Sequence, residues 1–273
     1  VNKKYELKII FFYIIKCYNM KFIACIPARY GSSRLCGKPL FEINGKPIIQ
    51  HVYERVCNVD ILDKVIVLTD DERIANIIKN IDGNVEIIKD DCLNGTDRIC
   101  YYLDKIDYSN TVIVNVQGDE PFIDPNNIKL AIKNYIDRKK VDDKIVCSTL
   151  HYETIDEKSI RSHSRGKMVM DLDNNIMYCS RNPIPSSKST ELVYKNDGTL
   201  ETYNLHIGVF VFDSDYLMRY YRNNNTPLQL KEDIEWMKIM EQGFHINSVK
   251  TENHEIGVDT IDDYNYLKNK YVL

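Results

Sequence analysis

Between residues 20 and 140 the chain alternates continuous apolar runs with segments whose apolar positions recur at helical spacing. "KFIACIPA", "KVIVLTD", "NVEIIKD" and "TVIVNVQGDEP" read as strands, the first ending at Pro27 and the second at Asp70. Between the first two, "PIIQHVYERVCNV" sets Ile48, Ile49, Val52, Val56 and Val59 on one broad helical face. "DERIANIIKNI", "GTDRICYYLDKI" and "PNNIKLAIKNYID" are further helices, the last with Pro125 in its first turn. Strands that are apolar on both faces and alternate with helices predict an α/β domain, a mainly parallel sheet with helices on both faces. Such sheets bind ligands beyond the carboxyl ends of their strands, which gathers "PARYGSSR", Asp70 and "QGDE" on one rim.

The second half is less regular. "KIVCSTLHY", "GKMVMDLDNNIMYCSR" and "LHIGVFVFD" read as strands, the middle one folded at an Asn-Asn turn, so a β-rich elaboration is expected after about residue 145. "LKEDIEWMKIMEQG" is predicted as one helix stopped by Gly243, and "VDTIDDYNYLKNKY" as the final helix. With no repeat, low-complexity tract or linker, residues 20–273 are expected to form a single domain. Residues 1–19 contain the apolar run Ile9–Ile15, short of the roughly 20 residues a bilayer span needs, and no small-residue cleavage site follows it. They are expected to be an upstream extension, with the domain proper starting at Met20; an added helix, an added strand or an interfacial anchor are the alternatives.

Composition narrows the class. The net charge of −4 gives no overall field for nucleic acid, so a polyanion reader would need a local patch. The eight cysteines form no C-x-x-C pair, and several lie in apolar runs, which fits reduced thiols in a cytoplasmic protein. The six histidines show no H-E-x-x-H spacing, so a zinc-hydrolase reading has no support.

Against that background the stretch "PARYGSSRLCGKPL", residues 27–40, concentrates Arg29, Arg34 and Lys38 among glycine and serine positions just after a strand. Backbone N–H groups of such a turn cradle phosphate oxygens and the cations neutralise them. The G-x-x-x-x-G-K-S/T spacing of a P-loop is absent, so a phosphate site and a solvated basic turn both remain open. Asp119 and Glu120, past the most apolar strand, could hold Mg²⁺ against phosphates, or Asp119 could cap the turn into the next helix. Asp259 is a third candidate, and equally a helix N-cap. "NGTDR" puts Asp97 and Arg98 at the start of a helix, either as a polar turn or as a base-reading loop. Arg181 follows a strand, where it binds a carboxylate or is simply exposed, and His206 begins one, where a lone histidine is more often structural.

In order along the chain, "IPARYGSSRLCGKPL", "VLTDDERI", "NGTDRI", "VNVQGDEPFI", "YCSRNPIP", "HIGVFVF" and "GVDTIDDY" resemble the 3-deoxy-manno-octulosonate cytidylyltransferases, or CMP-Kdo synthetases. The resemblance runs from Met20 to about Tyr266. It implies a nucleotide-diphospho-sugar transferase-like, Rossmann-like fold. The implied reaction takes CTP and an acidic eight-carbon sugar to the CMP-sugar and pyrophosphate with Mg²⁺, making a lipopolysaccharide or capsule precursor. It implies that Arg29, Arg34 and Lys38 hold the triphosphate, with Ala28, Ser33 and Arg98 beside the nucleotide. The resemblance further implies that Asp119 and Asp259 ligate Mg²⁺, and that Gln117, Arg181, His206 and Glu235 line the sugar pocket, Arg181 facing the sugar carboxylate. A homodimer built on the later β-rich region is also implied, with no nucleic-acid partner and no membrane span.

Four positions depart from the family pattern. Cys36 stands where proline is usual, Phe210 where tyrosine is frequent, Gln229 for glutamate and Trp236 for glutamine. The nucleotide half is therefore well matched and the acceptor half altered. That keeps open another ulosonic acid as acceptor, modified Kdo or sialate-like, and a catalytically silent binding homologue.

Overall fold

The computed structural model describes residues 20–31, 35–222 and 224–271, so the expected extension over residues 1–19 lies outside the described residues. The first half forms as its pattern predicts. Strands β1 (Lys21–Ala28), β2 (Lys64–Thr69), β3 (Val85–Ile87) and β4 (Thr111–Val116) alternate with helices α1 (Ile48–Cys57), α2 (Glu72–Lys79) and α3 (Gly95–Leu103), and helix α4 (Pro125–Lys139) follows β4. β1 lies parallel between β2 and β4, and β3 extends the parallel ladder from β2. All six residues of β4 are buried, as a strand covered on both faces requires.

The period-two alternation of β1 divides the core. Phe22, Ala24 and Ile26 point to the face packed by α1, α2 and α4, while Ile23 and Cys25 point to the face packed by Ile99, Cys100 and Leu103 of α3.

The second half adds β5 (Ile145–Thr154), the hairpin β6 (Lys167–Met170) and β7 (Ile176–Ser180), the long strand β8 (Tyr203–Asp213) and β9 (His245–Lys250). The sheet runs β9-β5-β8-β4-β1-β2-β3, with β6 on β8 and β7 on β6. β8 is antiparallel to both β4 and β5, so the sheet is mainly parallel in its first half and mixed in its second. The Asn-Asn turn is present, with Asn174 at φ 63° accepting the left-handed conformation that asparagine tolerates.

One expected helix is corrected. "LKEDIEWMKIMEQG" folds as α5 (Pro227–Glu232) and α6 (Met237–Glu241), broken where Asp233 takes φ 52°. The Asp233 carbonyl accepts a 2.6 Å hydrogen bond from Arg181 Nη2, and a cation there satisfies the end of a helix. The break brings Glu235 and Trp236 to the rim of the cleft described below. The final helix, α7 (Ile261–Lys270), forms as predicted.

The four cysteines at 25, 100, 147 and 179 are buried, and no cysteine among the described residues is in a disulfide. No helix among the described residues is long and apolar enough to cross a membrane.

Two features of this packing have measurable consequences. A Cβ on Gly118 would lie 2.8 Å from the Pro27 carbonyl oxygen, a backbone atom with no room to yield. Gly118→Ala should therefore cost about 1–3 kcal/mol, read as a lower urea midpoint at unchanged slope. His151 on β5 is buried with Nδ1 2.7 Å from Ser248 Oγ, and burial lowers its pKa to about 4. An unfolded histidine titrates near 6.5, so between these values the unfolded chain binds a proton that the native state does not. The stability present above 6.5 is thus lost as pH falls toward 4, at a cost of about 2 kcal/mol from this ring at pH 5. His151→Gln should flatten the fall in melting temperature over that window; an unchanged profile would mean that the ring does not titrate as its burial implies.

Candidate active site

Parallel packing of β1, β2 and β4 brings their carboxyl ends to one rim, and the loops leaving them line a cleft of about 540 Å³. Ala28, Arg29, Lys38, Arg98, Gln117, Asp119, Arg181, His206, Glu235 and Asp259, ten of the residues singled out from sequence, all border it. Ser33 and Arg34 lie outside the described residues.

The described ends of the basic loop meet. Gly37 N–H donates to the Tyr30 carbonyl at 2.9 Å, and Gly37 sits at φ 72°, which favours glycine. The turn therefore forms with Cys36 in place of proline. Lys38 opens a short 3₁₀ turn, and its Nζ donates to Asp119 Oδ2 at 2.6 Å and lies 4.0 Å from Asp259 Oδ1. One ammonium thus meets both carboxylates that the sequence separates by 140 positions.

Neither carboxylate acts as a helix cap. The cap of α4 is Asp124, whose carboxylate accepts the Asn126 N–H, and the cap of α7 is Thr260, in a capping box with Asp263. Asp263 Oδ2 also accepts the Asp259 N–H at 3.2 Å, and Val258 N–H donates to the Asp119 carbonyl at 2.8 Å, so the two acidic loops are tied to each other. Among the described residues no group of three or more His, Cys, Asp or Glu side chains is placed to share a metal. The protein's contribution at this end is a carboxylate pair.

Glu120 differs from its neighbour. It is buried, its Oε1 accepts the Gly208 N–H at 3.1 Å, and a Cβ on Gly257 would come within 3.2 Å of that oxygen. Burial, with the Asp119 charge second, raises its pKa to about 8. Its sequence position beside Asp119 suggested a shared metal role; the structure turns it inward, where it braces the turn against β8.

Two of the rim's arginines, Arg98 and Arg181, are largely engaged by protein. Arg98 is buried, with Nη1 donating to the Ile88 carbonyl at 2.6 Å and Nη2 to Asp70 Oδ2 at 3.0 Å. Asp70 Oδ1 in turn accepts the Tyr30 N–H at 3.2 Å, so Arg98 supports the basic loop from beneath. Arg181 donates through Nη1 to the His163 carbonyl at 3.1 Å and through Nη2 to Asp233, which makes it a brace for the α5 break.

The far wall is aromatic. His206 stacks on Phe210 with centroids 4.6 Å apart and packs 5.1 Å from Trp236, and Phe210 lies 5.8 Å from Trp236. Two of the family departures are therefore in one cluster. Burial lowers the His206 pKa to about 3, so the ring is neutral. Glu235 Oε2 accepts the Thr96 N–H at 3.4 Å, joining this wall to the "NGTDR" turn, and burial raises its pKa to about 7. Gln229 lines the cleft, but its Oε1 accepts the Thr226 N–H at 3.2 Å and so serves the start of α5. Arg165 also borders the cleft, bonded to Tyr152 Oη at 3.0 Å and to Asp263 Oδ1 at 3.4 Å. Nothing in "SHSRGK" marked it, because its place depends on the β6 hairpin folding back over the rim.

The comparisons agree with this geometry. A family model described as cytidylyltransferase matches residues 23–251. The chain is 38% identical over 255 residues to the 3-deoxy-manno-octulosonate cytidylyltransferase of Geobacter metallireducens, covering 92% of this chain and 98% of that one. It is 37% identical to the mitochondrial enzyme of that name from Arabidopsis thaliana, covering 93% and 84%. Among solved structures, CMP:2-keto-3-deoxy-manno-octonic acid synthetase complexed with CTP superposes with a TM-score of 0.77 at 30% identity, covering 92% of this chain and 98% of that one. HddC from Yersinia pseudotuberculosis shares the fold, with a TM-score of 0.62 at 17% identity. The strand-end rim, the paired carboxylates and these matches together place the chain in the cytidylyltransferase family, among the 3-deoxy-manno-octulosonate cytidylyltransferases.

Proposed function

We propose that this protein transfers CMP from CTP to 3-deoxy-manno-octulosonate and releases pyrophosphate. The observation that carries the reading is the convergence of Lys38, Asp119 and Asp259 at one end of the cleft, with Arg29 on the same rim. A triphosphate seated there meets the cations of the basic loop. The acceptor, against the His206 wall, presents its anomeric hydroxyl to the α-phosphorus. The new bond joins that oxygen to phosphorus, the bond to the β-phosphate oxygen breaks, and the hydroxyl proton leaves to solvent or a nearby base. No covalent intermediate with the protein is needed, so catalysis rests on positioning and on stabilising charge at phosphate oxygens. Arg29 and Lys38 face that charge, and the braces Arg98 and Glu120 hold the loops that present it.

The carboxylate pair fits Mg²⁺, which takes one or two carboxylates and completes its shell with water and substrate phosphates. Asp119 and Asp259 would hold it, and it would supply Lewis-acid polarisation of the phosphoryl oxygens. In the structure described here Lys38 is the counter-cation of both carboxylates.

The altered wall supports a second reading of the acceptor alone. Phe210 and Trp236 set aromatic faces where tyrosine and glutamine would set polar groups, which favours an ulosonic acid less polar on that side. The set Arg29, Lys38, Asp119 and Asp259 stands against a silent homologue. The same family reading includes Mg²⁺-dependent turnover in the cytoplasm by a homodimer. Exposed Leu172 and Met177 on the β6–β7 hairpin support the dimer, and sedimentation should return twice the chain mass.

Pyrophosphate release should require CTP, Mg²⁺ and an ulosonic acid together. Equal rates with UTP and ATP, or none with any acid, would defeat the reading. Asp119→Asn should lower kcat by at least about a hundredfold while the thermal melt stays cooperative; a rate near that of the unaltered protein would remove Asp119 from the site.

A further inference from the structure

β8 carries a bulge. Ile207 pairs with Leu150 of β5 and Phe210 with Thr149, leaving Gly208 and Val209 without partners in that ladder. The displaced Val209 carbonyl is met by the buried Thr149 side chain, whose hydroxyl donates to it at 2.7 Å. The same Thr149 oxygen lies 2.9 Å from His206 Nε2.

A hydroxyl has one proton to give. With that proton on Val209, the Thr149 oxygen acts toward His206 as an acceptor, and Nε2 must carry the hydrogen. The other ring nitrogen, Nδ1, is then the lone-pair nitrogen. It has no protein partner among the described residues. Nor is it among their buried unsatisfied side-chain atoms, which are three arginine Nε atoms. His206 lines the cleft, and Nδ1 is the ring nitrogen left for a ligand there. The ring is held against turning by its stack on Phe210 and its contact with Trp236. Burial keeps it neutral through the pH range in which an ordinary histidine titrates.

We infer that Thr149 is a positioning residue that fixes His206 as its Nε2–H tautomer, so that His206 meets the acceptor sugar only as a hydrogen-bond acceptor at Nδ1. The site then selects acceptors that place a hydroxyl or N–H donor against His206, and rejects those with an ether, a carbonyl or a hydrogen there. The inference rests on the cytidylyltransferase reading for the identity of the ligand, but not for the state of the ring.

The test separates the two. In ¹⁵N-labelled protein, multiple-bond ¹H–¹⁵N correlation spectra distinguish the nitrogens of each histidine, and the signals lost in His206→Gln identify this one. The unaltered protein should show a protonated Nε2 and a bare Nδ1 without titration near pH 6.5, a result that needs no substrate. Thr149→Ser should keep that pattern, and Thr149→Val should give the other tautomer or a mixture. With CTP held saturating, Thr149→Val should raise KM for the acceptor about tenfold and leave KM for CTP unchanged, with Thr149→Ser restoring the value. A protonated Nδ1 in the unaltered protein would overturn the inference, as would an unchanged tautomer and unchanged acceptor KM in Thr149→Val. Failure of CTP turnover with an Nε2–H ring would instead count against the proposed reaction.

Discussion

The site depends on the bulge in β8. Two residues, Gly208 and Val209, fall out of register between Ile207 and Phe210, and their backbone groups turn to partners beyond that ladder. Gly208 N–H goes to Glu120, the Gly208 carbonyl accepts from Gln117 N–H, and the Val209 carbonyl accepts from Thr149. One irregularity thus ties the turn that carries Asp119 to the aromatic wall of His206, Phe210 and Trp236. A Cβ on Gly208 would meet Glu120 Oε1 at 2.8 Å, so the joint closes only around glycine. A glycine within an apolar strand marks a bulge or a close backbone approach, and this one serves as both.

Electrostatics at the other end follows from enforced proximity. Asp119 and Asp259 are held together by backbone bonding between their loops, and Lys38 offsets their repulsion. The lysine thereby sets one positive charge between two carboxylates in a chain whose net charge is negative. Around this charged centre, arginines that look on sequence like ligand forks serve as braces: Arg98 under the basic loop and Arg181 at the break between α5 and α6. Their donors satisfy carbonyls that would otherwise be left unpaired near a rim.

Much of this was legible in the sequence. The apolar runs gave β1 to β4 and a mainly parallel sheet, because a strand buried on both faces has few other placements. The motifs "QGDEP" and "GVDTIDDY" pointed to the carboxylates. Three things were not legible. The helix over residues 230–243 breaks at Asp233, whose carbonyl is met by Arg181 from 52 positions away in the chain. Glu120 and Asp119 are adjacent in the chain yet opposite in environment. Arg165 and Thr149 carried no local signal, since each acquires its role from a neighbour on another strand.

The sequence by itself determined the fold class and the rim on which ligands of such sheets gather. Those follow from local periodicity and from the fixed direction of parallel strands. Only the tertiary structure decided which cations of the rim are also tied into the protein as braces. It also decided that Phe210, Trp236 and His206 form one wall, and that a threonine sets the tautomer of that histidine. These outcomes depend on the β8 register against β4 and β5, and a two-residue bulge in a ladder between distant segments is fixed by packing rather than by any local pattern.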